Sequence, residues 1–285
     1  MRRPYLGTYD DLFDDLLRRP GDCALMLKAY FDESERTKGV FSVAGFAYRR
    51  ADAKRCGREW MKLFGSYGGC HMTDLANRRK AFKGISDSEA ERLIHAAVAI
   101  INRRAIYGVA VSCHVDEMIS LLPTWIDGFQ GAYPVCCHAA MMTLGNLIRA
   151  TGPIERVHYF FESGHDLQAA AHHFMGRVSD VQILKESYLH GSDSFVPKEE
   201  MPQLQTADIL AWEWAKYWDE TVIEGKRLMR KSLVAMLTHG SKNPANFNAE
   251  RVKFVHLTGL PLRRFAKQVA DLGLSQIRES HAGAL

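Results

Sequence analysis

Apolar residues in this chain fall into short unbroken runs and longer helical stripes, separated by polar stretches that carry glycine. The first run, Cys23 to Phe31 (CALMLKAYF), is almost wholly apolar and ends at Asp32, which predicts a strand covered on both faces. Val40 to Tyr48 (VFSVAGFAY), rich in aromatic and β-branched residues, reads as its hairpin partner across the polar loop ESERTKG. Ala51 to Phe64 has helical spacing and ends at Gly65. Ser86, with Glu89 three residues on, forms a capping-box pattern. It opens a helix with Leu93, Ile94, Ala97, Val98 and Ile101 on one face. Ile106 to His114 predicts a third strand and Val135 to Arg149 a helix. Arg156 to Phe161 (RVHYFF) predicts a fourth strand ending at Glu162. Asp166 to Val178 reads as a helix, Val181 to Leu184 as the start of a fifth strand, and Gln203 to Trp218 as a strong helix. Further on, Glu224 to Thr238 and Leu262 to Leu272 look helical, and Val252 to Leu257 is a short strand or a buried turn.

Strands in hairpin order, followed by strands alternating with helices, imply an α/β fold: one mixed five-stranded sheet flanked by helices. No repeat, low-complexity tract or linker divides the chain. The expectation is therefore a single domain over residues 1–285, with a core over about 23–218 and helical C-terminal additions over about 222–285. Composition changes this picture little. Hydrophobic residues make up 47% and charged residues 25%, with a net charge of +4, which permits a polyanionic partner without demanding one. The six cysteines (Cys23, Cys56, Cys70, Cys113, Cys136, Cys137) include no CxxC pair, and four lie in apolar segments, where a free thiol behaves as a small hydrophobe. The start of the sequence lacks a secretory apolar segment, and no uncharged apolar run reaches about 18 residues. A reduced, cytoplasmic protein is the expectation.

Three carboxylates stand out against this background. Glu162 follows an apolar strand and precedes Ser-Gly, and Asp32 is placed the same way, so both are expected at strand C-terminal ends, where ligands collect in open α/β sheets. On a helical wheel, Leu204, Ala211, Trp212 and Ala215 all lie within about 60° of Asp208. Asp208 thus belongs to the apolar stripe, and carboxylates are seldom buried unless paired or bound to a metal. Ala207, Ala211 and Ala215 keep that helix surface low, so it can approach a sheet closely. Gln205, one turn earlier, points the same way and is a candidate to hydrogen-bond a ligand or a carboxylate. Two strand ends and one helix carrying Asp32, Glu162 and Asp208 suit a hard divalent cation, Mg2+ or Mn2+. A pair of such ions about 3.5–4 Å apart clamps both oxygens of an in-line phosphoryl displacement. Each residue also has a plainer reading: a strand-end acid as a turn former or helix cap, and Asp208 as half of a structural ion pair.

The same residues carry a family resemblance. YFDES at Tyr30–Ser34, FESG at Phe161–Gly164 and QTADILAW at Gln205–Trp212 resemble the three signature blocks of an RNase H-like family known as domain of unknown function 3800. HMTDL at His71–Leu75 resembles a fourth, weaker block. The blocks come in the family's order over about residues 25–218. The resemblance implies an RNase H-like sheet with acids on the first strand, the fourth strand and the final core helix, matching Asp32, Glu162 and Asp208. By the same analogy Glu33 assists at the metal site, and His71 and Asp74 line its edge; Ser34 and Ser163 are further accessory candidates. The family's first block often continues with glycine, where this chain has Glu35. Nuclease activity is implied only through the wider superfamily.

Other constellations add less. Cys70-His71, Cys136-Cys137-His138 and His172-His173 lack the paired spacing of a structural zinc site. Basic clusters occur at Arg49-Arg50 with Lys54, Arg55 and Arg58, at Arg78-Arg79-Lys80 with Lys83, and at Lys226-Arg227 with Arg230-Lys231. The second follows HMTDL directly, so Arg78, Arg79 and Lys80 are the candidate phosphate contacts. Trp212, Trp214 and Trp218 are candidates for base stacking or, more commonly, for core packing. No Gly-rich phosphate loop, GxSxG elbow or dinucleotide fingerprint is present. The expected activity is metal-dependent phosphodiester hydrolysis of RNA or DNA. The alternatives are a non-catalytic nucleic-acid- or protein-binding module of a defence or mobile-element system, and hydrolysis of a small phosphoester at the same site.

Overall fold

A computed structural model describes residues 26–36, 38–121, 131–238, 251–259, 261–264 and 267. Its centre is a six-stranded mixed sheet: β1 (Leu27–Glu35), β2 (Val40–Arg49), β3 (Tyr107–His114), β4 (Val157–Glu162), β5 (His190–Val196) and β6 (Val252–Leu257), in the order β5-β4-β1-β2-β3-β6. The β1–β2–β3 meander is antiparallel; β4 runs parallel to β1, β5 parallel to β4 and β6 parallel to β3. The β1–β2 connection falls within the polar ESERTKG segment, whose Glu33, Ser34 and Glu35 still pair with β2. Cys23 and the start of the first apolar run lie outside the described residues, as does most of Leu262–Leu272.

Helices cover both faces, which is why the central strands read as continuous apolar runs rather than alternating ones. The strand pleat sorts their side chains. Leu27, Ala29 and Phe31 join Phe41, Val43, Val109, Val111, Tyr159 and Phe161 in a core completed by α5 (Ala132–Thr151) and α6 (Gln168–Asp180). Tyr30, Ala44, Phe46, Tyr48, Ala110 and Phe160 face the other way, into a core completed by α1 (Arg50–Phe64), α3 (Asp87–Arg104) and α8 (Pro202–Lys216). Short helices α2 (Met72–Asn77), α4 (Val115–Leu121), α7 (Gln182–Ser187) and α9 (Lys231–Leu237) fill the connections. At the start of α3 the Ser86 hydroxyl accepts from the Glu89 amide, half of the expected capping box.

Helix α8 lies against the middle of the sheet, and every residue from Gln203 to Ala215 is buried. Ala207, Ala211 and Ala215 are fully covered, which allows the close approach their small side chains predict. Polar side chains then fix the helix in register. Ser42 of β2 donates to the Ala211 carbonyl at 3.0 Å. The Tyr48 hydroxyl meets Thr206 Oγ1 at 2.9 Å, and Gln203 donates to the Ala53 carbonyl of α1 at 2.9 Å.

Three expectations are corrected. Val181–Leu184 starts no strand: Gln182–Ser187 is helical, and the fifth strand is His190–Val196. A short apolar run such as VQIL does not distinguish helix from strand, and the true strand, at the sheet edge, carries the polar sequence HGSDSFV. The sheet has six strands rather than five, because Val252–Leu257 pairs with β3, so the C-terminal segment is not purely helical. Within Glu224–Thr238 only Lys231–Leu237 forms an α-helix. This segment packs back on α8 through buried Glu213, which meets Arg230 at 3.0 Å and accepts from the Ser232 hydroxyl at 2.5 Å. Cys56, Cys70, Cys113, Cys136 and Cys137 are free and buried, as small hydrophobes should be. Among the described residues no helix is long and apolar enough to cross a membrane.

Gly45 of β2 stands where the strands leave no room: a Cβ there would run into the Tyr30 carbonyl of β1 and the Phe31 ring. Gly45→Ala is expected to destabilise the fold by about 3 kcal/mol, the upper range for overpacking, measured by urea unfolding. A loss under about 0.5 kcal/mol would mean the hairpin can open at this point.

Candidate functional site

The pleat also decides where the acids point. Asp32 follows Tyr30 by two residues and Glu162 follows Phe160 by two, so both acids share the face that carries α8. The parallel register pairs Tyr30 with Phe160 and Phe31 with Phe161, and the Tyr30 and Phe160 rings stack at 5.0 Å. One step further along, Asp32 and Glu162 come together. Asp32 was expected after the end of its strand. It lies inside β1, which runs on against β2 to Glu35, but just beyond the last β1–β4 pair. The opening left where β4 ends is the site.

An open pocket of about 370 Å³ lies there, lined by Glu33, Ser34, Glu35, His71, Thr73, Glu162, Ser163, Gly164, Lys198 and Asp208. Asp32 sits beneath it at 2% exposure. Carboxylate oxygens of Asp32, Glu33 and Glu162 lie within 4.8 Å of one another, the one set of three potential ligand residues of this kind among the described residues. Asp208, 4% exposed, is outside that set. Its Oδ2 accepts from the Met72 amide at 2.6 Å, at the first turn of α2. Part of its burial is therefore explained by capping the HMTDL helix.

Lys198 was not foreseen. Only 7% exposed, it places Nζ 2.7 Å from Asp32 Oδ2, 2.8 Å from Glu162 Oε2 and 3.8 Å from Asp208 Oδ1. The contact with Asp32 Oδ2 is a close ion pair with a buried oxygen. Asp32 Oδ1 accepts from the Glu33 amide at 2.7 Å. Lys198 arrives by the topology of the misassigned strand. Glu162 pairs with Val196 at the end of β5, the Ser163 amide donates to the Val196 carbonyl, and Lys198 follows two residues later. The signal was a lysine just past a strand's carboxyl end, legible only once His190–Val196 is known to be that strand.

Burial and crowding tune these groups against one another. Burial pushes the Asp32 carboxyl well above its ordinary pKa; Lys198 opposes this, while Glu162 and Asp208 add to it. Burial and the neighbouring Glu162 push Glu33 up to about 7. Burial would also raise Glu162, but a hydrogen bond from Asp32 and the Lys198 ammonium outweigh it and hold Glu162 below the usual range. Burial would lower Lys198, yet Asp208, Asp32 and Glu162 together hold its pKa above the ordinary lysine value. Asp32 is thus raised and Glu162 lowered, the divergence expected of crowded carboxylates.

The accessory candidates divide. Glu33, Ser34, His71 and Ser163 line the pocket. Asp74 does not. It pairs with Lys80 at 2.9 Å and lies 3.9 Å from the His71 ring, securing the rim. Gln205 faces no ligand: its Oε1 accepts from Trp60 Nε1 at 2.9 Å and from the Cys70 amide at 2.8 Å, while Nε2 donates to the Lys198 carbonyl at 3.3 Å. It ties α1, the segment leading to His71 and the segment carrying Lys198 to one point on α8.

Arg78, Arg79 and Lys80 are not brought to the pocket wall. Arg78 is engaged with Asp87 and Lys80 with Asp74. Trp212 and Trp214 are buried, with Lys216 and Arg230 over the Trp212 ring, so neither is free to stack on a base. His138 is buried against the Tyr188 hydroxyl, which accounts for it without zinc.

No family model and no curated protein matches this chain. The site's chemistry therefore rests on its own geometry.

Gln205→Ala strands two buried donors, the Trp60 indole and the Cys70 amide. It is expected to cost about 2–3 kcal/mol, the penalty for unpaired buried groups, and Gln205→Glu, which keeps the acceptor, to cost less. Chemical denaturation of both variants checks this; equal losses would show that the acceptor oxygen is not what matters.

Proposed function

We propose that this protein is a divalent-metal-dependent phosphodiester hydrolase acting on nucleic acid, with an RNase H-like core of the domain of unknown function 3800 kind. The observation that carries the reading is the gathering of Asp32, Glu33 and Glu162 oxygens within 4.8 Å at the base of an open pocket. Buried Glu33 Oε2 has no hydrogen-bond partner there. The fold half draws support from the hairpin-ordered β1–β3, the parallel strands that follow through helices, and acids on the first strand, the fourth strand and the last core helix.

The donor set suits the ion. All-oxygen carboxylate ligands at the edge of an open pocket are what Mg2+ or Mn2+ prefers, because such ions keep several waters and share the rest of their shell with phosphate. Asp32, Glu33 and Glu162 would hold it, and it would supply charge neutralisation for phosphate and an activated water. The chain's own groups do the rest. Lys198 keeps Asp32 and Glu162 together despite their repulsion. His71, half exposed at the rim and steadied by Asp74, is placed to carry a proton between the pocket and solvent. Ser34, Thr73 and Ser163 offer hydroxyls along the wall for phosphate oxygens.

One observation favours the second reading, a non-catalytic binding module: Lys198 already compensates much of the acidic charge. The two readings part in one experiment. Thermal melting of the wild type with Mg2+ or Mn2+ at about a hundredfold excess over Kd is expected to rise by about 5 °C. Labelled RNA or DNA oligonucleotides should be cleaved only with metal. Asp32→Asn is expected to abolish the thermal rise and lower cleavage by at least about a hundredfold, since even indirect partners of metal ligands act on that scale. Oligonucleotide binding without metal dependence or cleavage would favour the binding module, and neither binding nor a metal shift would sink the proposal.

A further inference from the structure

We infer that Lys198 is a built-in cation that permanently fills one half of the acidic cluster, so that the pocket takes a single divalent ion, on the side of Asp32, Glu33 and Glu162. This rests on the metal-dependent reading above and departs from the two-ion arrangement that clustered carboxylates otherwise invite.

The cluster is divided unevenly. On one side, oxygens of Asp32, Glu33 and Glu162 lie within 4.8 Å of one another. On the other, Asp208 lies outside that set: its Oδ2 accepts from the Met72 amide and its Oδ1 faces Lys198 Nζ at 3.8 Å. The ammonium lies between the halves, 2.7 Å from Asp32 and 2.8 Å from Glu162. A two-ion site needs carboxylates bridging positions about 3.5–4 Å apart. Here the position shared by Asp32, Glu162 and Asp208 is held by a positive charge, and a second divalent ion placed beside it would meet that charge at contact distance.

Lys198 is also fixed in place rather than folded in by chance. Its carbonyl accepts from Gln205 Nε2 of α8 at 3.3 Å and from the Met201 amide at 3.4 Å. Two residues earlier, Val196 is held in the ladder opposite Glu162. A lysine on a loose loop could be swept out by an entering ion; this one is anchored on both sides at its backbone and is 7% exposed. The ammonium offers charge without an open coordination position, so it offsets carboxylate repulsion but supplies no bound water. That leaves water activation to the ion on the Glu33 side.

The test counts Mn2+ bound to the intact protein, with free Mn2+ read by electron paramagnetic resonance, for the wild type and Lys198→Ala. One ion on the wild type and two on the variant is the expected result. Two ions on the wild type would overturn the assignment while upholding a metal site. One ion on both would also overturn it, since removing the ammonium would then free no cation position. No bound ion on the wild type would overturn it together with the functional reading. Where Lys198→Ala fails to fold, Lys198→Gln keeps most of the stem and removes the charge, with the same outcomes.

Discussion

Several carboxylates crowd the space above the open end of β4, and Lys198 is the ammonium that lets them stay there. Taking like charges out of water together is costly, and the cost falls only if an opposite charge sits among them in good geometry. Lys198 meets that condition, with contacts to Asp32 and Glu162 below 3 Å and to Asp208 at 3.8 Å. Everything around it serves to deliver that one atom: β5 pairs beside β4, the loop turns back at Pro197, and Gln205 holds the lysine's own carbonyl. A buried charge network of this kind is a weak source of net stability. Its presence in an otherwise apolar core is better explained by what the pocket does than by what keeps the chain folded.

Helix α8 is the other constraint, because it must serve both core and site. Its alanines bring it close to the sheet, and closeness makes its polar residues matter. Thr206, Gln205 and Gln203 contact β2, α1 and the rim segments, while Asp208 caps α2. A helix hydrophobic all round would be held only by shape, and could slide or rotate by a turn. Four polar side chains, each satisfied by a named partner, remove that freedom. The rim carrying His71 and the loop carrying Lys198 are thereby referred to one rigid element, which is how short-range geometry at a site becomes reproducible.

Much of this was legible in the sequence, and the failures have a common cause. Strongly apolar elements announced themselves: β1 to β4, α1, α3, α5 and α8 appear where periodicity places them, within a few residues. Asp208 was correctly singled out as a carboxylate in an apolar stripe. Its partners were not recoverable, because a helical wheel gives a direction and not what stands there. The edge strand β5 was missed because an edge faces solvent and can be as polar as HGSDSFV, and β6 was ambiguous for lack of length. Missing β5 hid Lys198. Gln205 looked like a ligand residue for the same reason as Asp208: the wheel shows its direction but not Trp60 and Cys70, which take up its acceptor. The Arg78 cluster misled differently: sequence proximity to HMTDL put it near the rim, yet Asp74 and Asp87 hold Lys80 and Arg78 away from the pocket.

The charge pattern at the pocket bears on how any polyanion would approach. The wall carries Glu33, Glu35, Glu162 and Asp208 against Lys198 and His71, and Lys198 is already committed to the carboxylates below. Without added cations this surface repels phosphate, whatever the chain's net charge of +4. Arginines elsewhere are paired locally with acids, such as Arg103 and Arg104 with Glu59 and Arg227 with Glu220. On the proposed reading, binding of a phosphodiester at this pocket is linked to cation binding, each strengthening the other by the same factor. Under that proposal the site repels its substrate until a metal arrives and so discriminates between productive and idle encounters, a property that a permanently basic groove would lack.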